Sequence, residues 1–201
     1  MRRPPRRWRS AGPSASRTAE ELAASLRAIS DLCHRHGVEM ASHDDDTPEK
    51  VALMRSLGAT ISEFPVTIEA AAAAHDCGLA TAMGAPNALR GESYSGNLSA
   101  REAYAAGLLD ILASDYHPSA ILPAVLTLAG EGQGGLAASV ALATWNPARA
   151  LGLDDRGAIR PGLRADLLLA DDEGIGHVRQ TLRGGRVVYS DGTLSVAGIA
   201  A

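Results

Sequence analysis

Four short apolar runs end near residues 43, 64, 86 and 115, and a helical segment follows each of them. The runs are VEMASHD (38–44), ATISEFP (59–65), LATAMGAP (79–86) and LLDILASD (108–115). Strand and helix alternating at this spacing is the rhythm of βα units, in which each helix carries the chain back so that successive strands lie parallel. The punctuation agrees. Thr47 and Pro48 are an N-cap and first-turn pair for a helix ending near Gly58, and an alanine-rich helix from about Thr67 to Asp76 stops at Gly78. The third run leads into the loop NALRGESYSGN (87–97), after which Ser99 and Glu102 have the spacing of a capping box. Pro118 lies near the start of a helix running to about Leu128. Ahead of the first run, Leu22, Leu26, Ile29 and Cys33 recur at helical spacing between a Thr18/Glu21 capping box and Gly37.

Past the fourth unit the chain reads as a linker, AGEGQGG (129–135), a helix LAASVALAT, and TWNPARALGL, where Asn146 and Pro147 resemble a helix start. After Gly152 the pattern changes to short strands with glycine-rich turns: GAIRPG, RADLLLAD, VRQTLRGG and RVVYSDG. The expected division is a disordered basic leader (1–18), a partial α/β barrel (19–152), a C-terminal β segment (153–192) and a tail (193–201). Closed eight-stranded α/β barrels usually take about 250 residues. Four units in a chain of 201 residues make half of one.

Charge is divided just as unevenly. Arginines 2, 3, 6, 7, 9 and 17 precede any acid, and the remainder carries 13 bases against 23 acids. A body this acidic is a poor partner for nucleic acid. The leader lacks the apolar stretch of a secretory signal, and Pro4, Pro5 and Pro13 break the amphipathic helix of a transit peptide. The most apolar window, VTIEAAAAAHDCGLATAM, is interrupted by Glu69, His75 and Asp76, so no membrane span is expected. Cys33 and Cys77 stand alone without CxxC spacing, which fits a reducing cytoplasm.

In parallel α/β architectures functional side chains collect at the C-terminal ends of the strands. That rule selects His43, Glu63, Asn87 and Asp115. His43, in SHDDD, sets an imidazole beside three carboxylates. These are the donor types of a zinc-class ion, although a histidine held by loop hydrogen bonds beside helix-start acids has the same sequence. Asp115 follows an apolar run, so its carboxylate needs a metal, a partner or water at the strand mouth, or serves as an N-cap. His34-Arg35-His36 spells His-x-His but occupies the last turn of a helix, where histidines favour the negative end of the dipole. GEGQGG lacks the Lys and Ser/Thr of a phosphate loop, and no GxSxG elbow occurs.

The tail NPARALGLDDRGAIRPGLRADLLLADD with VRQTLRGGRVVYSDG resembles the C-terminal signature of the amidohydrolase superfamily. The SHDD, EFP, MGAPN and LLDILASDY pieces resemble, within it, the diphosphatases of phosphonate degradation. The resemblance implies the C-terminal half of a TIM-like, metal-dependent hydrolase barrel with a short β-sandwich segment. It implies a cytoplasmic enzyme that takes diphosphate from a phosphorylated ribose phosphonate. His43 and Asp115 would hold a divalent, zinc-class metal ion, with Asp115 also taking the proton of the attacking water. Glu63, Asn87, Arg90 and Asn97 would line the substrate. Two positions depart from the expected RGGSHSGN, with Glu92 in place of Gly and Tyr94 in place of His. The early His/Asp metal motif is not found before residue 19, so a homo-oligomer or a complementing N-terminal half is an expected partner, and weak or no hydrolysis is expected of the chain alone. A relative that cleaves a C–N bond in a cyclic amide or N-acyl substrate, and a non-catalytic remnant, are the other readings.

Overall fold

Thr18 opens the first helix as the sequence requires: its hydroxyl accepts from Glu21 N while the Glu21 carboxylate accepts from Thr18 N. The computed structural model describes residues 18–93, 96–131 and 134–194. Helix α1 (Ala19–His36) ends on left-handed Gly37, and β1 (Met40–His43) follows. Next come α2 (Pro48–Ser56), capped by Thr47, then β2 (Ala59–Glu63), α3 (Ile68–Asp76), capped by Thr67, and β3 (Ala80–Gly84). Two short helices, α4 (Ala85–Arg90) and α5 (Ala100–Ala105), separate β3 from β4 (Ile111–Ala113). A 3-10 turn (Pro118–Ala120) leads into α6 (Ile121–Glu131), and α7 (Gly135–Ala141) and α8 (Trp145–Ala150) complete the α/β part.

The four strands form one parallel sheet in the order β1-β2-β3-β4, as the βα rhythm predicts. Parallel neighbours in sequence order leave the two outer strands as sheet edges. At β4 the edge is partly covered, because Leu112 N donates to Leu142 O at 2.9 Å. The main core joins Met83 and Leu112 of the sheet to Ala85 and Ala88 of α4, Ala103 of α5, and Ala124, Val125 and Leu128 of α6. Small residues dominate it. Short alanine side chains permit close packing of helix on sheet, which suits a chain whose aromatic content is only 3%.

Three local expectations are corrected. The loop expected from residue 87 begins as helix α4: Pro86 pre-sets φ for its first turn, and burying Ala85, Pro86 and Ala88 stabilises a turn too short to stand alone. Asn146 does not cap α8. Its N-cap is Thr144, and the Asn146 amide instead donates to Asp110 O at 2.8 Å, tying α8 to the start of β4. GAIRPG forms no strand. Gly157 adopts φ +94, and a Cβ there would lie 2.8 Å from Ala148 Cβ and 3.1 Å from Thr144 O, so the segment folds against α8 rather than into a ladder. Arg160 and Arg149 stack on the Trp145 ring, with guanidinium carbons 5.0 Å and 5.4 Å from its centroid. The remaining three runs form an antiparallel sheet, β5 (Leu167–Ala170), β6 (Val178–Arg183) and β7 (Arg186–Ser190). The leader, apart from Thr18, and most of the expected tail lie outside the described residues, as do Tyr94 and part of the 129–135 linker. No helix among the described residues is long and apolar enough to cross a membrane.

The antiparallel sheet carries its own acid sensitivity. Arg179 bridges Asp171 and Asp191, donating to Asp191 Oδ2 at 2.9 Å. That bond, with the hydroxyl and amide of Thr193, lowers the Asp191 pKa from 3.8 to about 2. A carboxyl with a depressed pKa contributes stability that is full above its unfolded value and disappears as pH falls through its folded value. Exchange protection of the β6 and β7 amides is therefore expected to fall between pH 3.8 and about 2. Arg179→Ala moves that loss toward higher pH, and an unchanged exchange profile in that variant would contradict the assignment.

Candidate active site

The C-terminal ends of three of the four parallel strands share one device. The residues that follow β1 and β2, Asp44 and Phe64, have φ of +54 and +55, and Asp115, two residues beyond β4, has φ +52. Left-handed backbone at non-glycine residues costs about 1 kcal/mol or more each and concentrates at functional sites. Each such turn redirects the chain at the sheet's end. Hydrogen bonds hold two of them, from Asp44 N to Glu63 O at 3.0 Å and from Phe64 N to Ala82 O at 2.8 Å.

Below these turns is a cavity of about 220 Å³, whose walls include Asp44, Phe64, Gly84, Asn87, Arg90, Asn97 and Asp115. Four of the six residues singled out in the sequence thus meet at one place. The Asp115 carboxylate packs beside Gly84, its Oδ2 3.6 Å from where a Cβ on Gly84 would lie, an ordinary van der Waals distance. Asp115 is not the N-cap of the following turn, a position held by His117. Arg90, on α4, donates to the Tyr116 hydroxyl at 2.8 Å, which joins the wall made by α4 to the segment after β4. Asn87 is partly committed to the fold, because its Oδ1 accepts from Ala100 N at 2.8 Å and fixes the start of α5.

His43 and Glu63 stand beside this cavity rather than in its wall. They are register partners on β1 and β2, with His43 Nε2 3.9 Å from Glu63 Oε2 and His43 Nδ1 3.2 Å from Asp44 Oδ2. The His43 ring meets Phe64 edge-on at 5.5 Å between centroids. Imidazole and carboxylate are suitable donors for a divalent ion, but no three His, Cys, Asp or Glu side chains converge into a metal cage among the described residues. The residues present do not complete a coordination shell.

Sequence reasoning passed over Asp45 as one of three helix-start acids. The structure buries it completely. Its Oδ2 accepts from Ser42 Oγ at 2.5 Å and from Ser62 Oγ at 2.6 Å, and Lys50 Nζ lies 3.6 Å from Oδ1. The signal available in the sequence was a serine one residue before each of His43 and Glu63, the last residues of β1 and β2.

Over 181 residues the chain is 44% identical to the alpha-D-ribose 1-methylphosphonate 5-triphosphate diphosphatase of Escherichia coli (strain K12), a match covering 85% of this chain and 48% of that protein. It thus spans about half the length of that relative. A shorter stretch of 54 residues, 27% of this chain and 9% of the relative, is 44% identical to adenine deaminase 2 of Latilactobacillus sakei subsp. sakei (strain 23K). The fold is similar to that of A. niger ochratoxinase, with TM-score 0.60 and 17% identity over 85% of this chain and 46% of that one. An uncharacterized protein of solved structure has TM-score 0.64 and 19% identity over 84% and 49%. The superfamily generally uses divalent metal ions. The model of the amidohydrolase family matches residues 15–188, and with the parallel sheet and its strand-end cavity this chain belongs to that family.

Proposed function

We propose that this chain forms the C-terminal part of the active site of a hydrolase that releases diphosphate from α-D-ribose 1-methylphosphonate 5-triphosphate. The observation that carries this reading is the convergence of Arg90 and Asp115 on one cavity, in a chain 44% identical over 85% of its length to a diphosphatase of that specificity. Arg90 engages phosphate oxygens through its planar fork, and Asn97 and Asn87 line the same cavity. Water attacks the phosphorus nearest the ribose, its proton passes to the Asp115 carboxylate, and the P–O bond to diphosphate breaks with the electron pair leaving on diphosphate. A divalent, zinc-class ion would complete this reading, with His43 and Asp115 as the ligands this chain would offer and the other donors supplied from outside the described residues. Such an ion would polarise a phosphoryl oxygen. A multiply charged substrate of this kind is consistent with a cytoplasmic enzyme.

The test is a substrate panel followed by ³¹P NMR. The ribose triphosphate is expected to yield diphosphate, slowly with this chain alone and faster when a polypeptide carrying the unmatched half of the E. coli diphosphatase is added. Arg90→Ala is expected to raise KM for the triphosphate about tenfold or more, the value of one charge-assisted contact. Adenine, the ring named in the deaminase relatives, and cyclic amides are expected to remain intact. Deamination or ring opening, with the triphosphate untouched, would replace this reading with C–N hydrolysis.

A further inference from the structure

We infer that buried Asp45, together with Lys50, Ser42 and Ser62, is a positioning knot that holds His43 and Glu63 side by side at the mouth of the cavity. The inference rests on the reading of that mouth as the active site. Its geometry comes from residues with no part in the chemistry. Ser42 and Ser62 are register partners on β1 and β2, each one residue before His43 and Glu63, which are themselves register partners. Both hydroxyls are buried and both donate to the same oxygen, Asp45 Oδ2. One carboxylate oxygen therefore pins two neighbouring strands immediately before their final residues. The other, Oδ1, has no hydrogen bond and faces Lys50 Nζ at 3.6 Å.

Lys50 completes the knot from the helix side. Its ammonium donates to His43 O at 2.9 Å and to Asp44 O at 2.7 Å, the two carbonyls that flank the left-handed turn. The Asp45 carbonyl accepts from Val66 N at 2.8 Å, which binds the β1 exit to the β2 exit a second time. Asp45 has no helix to cap, since Thr47 performs that role for α2. Burying a carboxylate carries a desolvation penalty, and a buried ion pair is weak support for stability but well suited to enforcing a unique local arrangement. Two strand ends pinned by one fixed charge keep the imidazole and carboxylate that follow them at a constant separation.

The chain contains one phenylalanine, and the His43 ring meets it edge-on. Ring-labelled Phe64 therefore gives one set of signals, and its NOE to the His43 imidazole, assigned through its loss in His43→Gln, reports where His43 stands. In Asp45→Asn, Ser42→Ala and Ser62→Ala this cross-peak is expected to be lost or at least halved, while NOEs within β5, β6 and β7 persist. Asp46→Asn, one residue away and exposed, is expected to leave it unchanged. A purely structural Asp45 would lower the melting temperature and leave the cross-peak intact, and that result would overturn the proposal. If Asp45→Asn fails to fold, the two serine variants, each removing one hydroxyl, decide the question in the same way. The measurement uses no substrate, so a negative diphosphate panel with a responsive cross-peak removes only the assigned reaction. An unresponsive cross-peak in a chain that releases diphosphate removes only the knot.

Discussion

Asp115→Asn is expected to lower diphosphate release by about 10²- to 10⁴-fold, the usual contribution of a positioned general base. The amide is nearly isosteric with the carboxylate and cannot take a proton from water at neutral pH. Geometry makes the effect specific. Asp115 sits on a left-handed turn past β4, and its carboxylate lies against Gly84 in the wall of the cavity that Arg90 also lines. The loss is expected mainly in kcat, because Arg90 and Asn97 remain available to bind the triphosphate. The melting temperature is expected to stay close to that of the parent, since Asp115 is exposed and outside every buried cluster. Parent-like turnover in Asp115→Asn would assign the proton acceptor to another residue.

Leu128→Ala carries the largest expected cost in stability, about 2–5 kcal/mol. Leu128 is fully buried on α6, in the cluster that joins Met83 of β3, Leu112 of β4, Val125 and Leu142. The surrounding core is largely alanine, whose short side chains cannot swing into the vacated space, which favours the upper part of that range. Urea unfolding followed by circular dichroism measures the shift. Leu53→Ala, at a residue 51% exposed on α2, is the control and is expected to change stability by less than about 0.5 kcal/mol. Equal midpoints for the two variants would mean that α6 does not belong to the cooperative core.

Much of the architecture was legible because its signals are local. The capping residues Thr18, Thr47 and Ser99 act as the sequence suggests, although at Ser99 the observed bond is the one from Glu102 N to the serine hydroxyl, and the helix expected from about Thr67 is capped by that residue. His34-Arg35-His36 lies in the last turn of α1, where its charge favours the helix dipole. The misread places have a common cause. Asn146 has the sequence of an N-cap but finds a better acceptor in Asp110 O, across the fold. Asp45 reads as a solvated acid beside a helix start, yet two serines from adjacent strands enclose it. Asn87, chosen as a mouth residue, lines the cavity but also spends its side-chain oxygen on the backbone of α5.

The sequence by itself determined the alternation of strands and helices along most of the chain, the points where α1, α2, α3 and α5 start, and the side chains that arrive at the strand ends. Capping, φ preference and apolar periodicity act over a few residues, so they can be read without the rest of the chain. Only the tertiary structure decided that Arg90 and Asp115 share a cavity, that His43 and Glu63 stand beside it, and that Asp45 is buried between β1 and β2. Those outcomes depend on tertiary packing and parallel register, which bring together residues 17 to 26 positions apart, and no local preference encodes a contact at that separation.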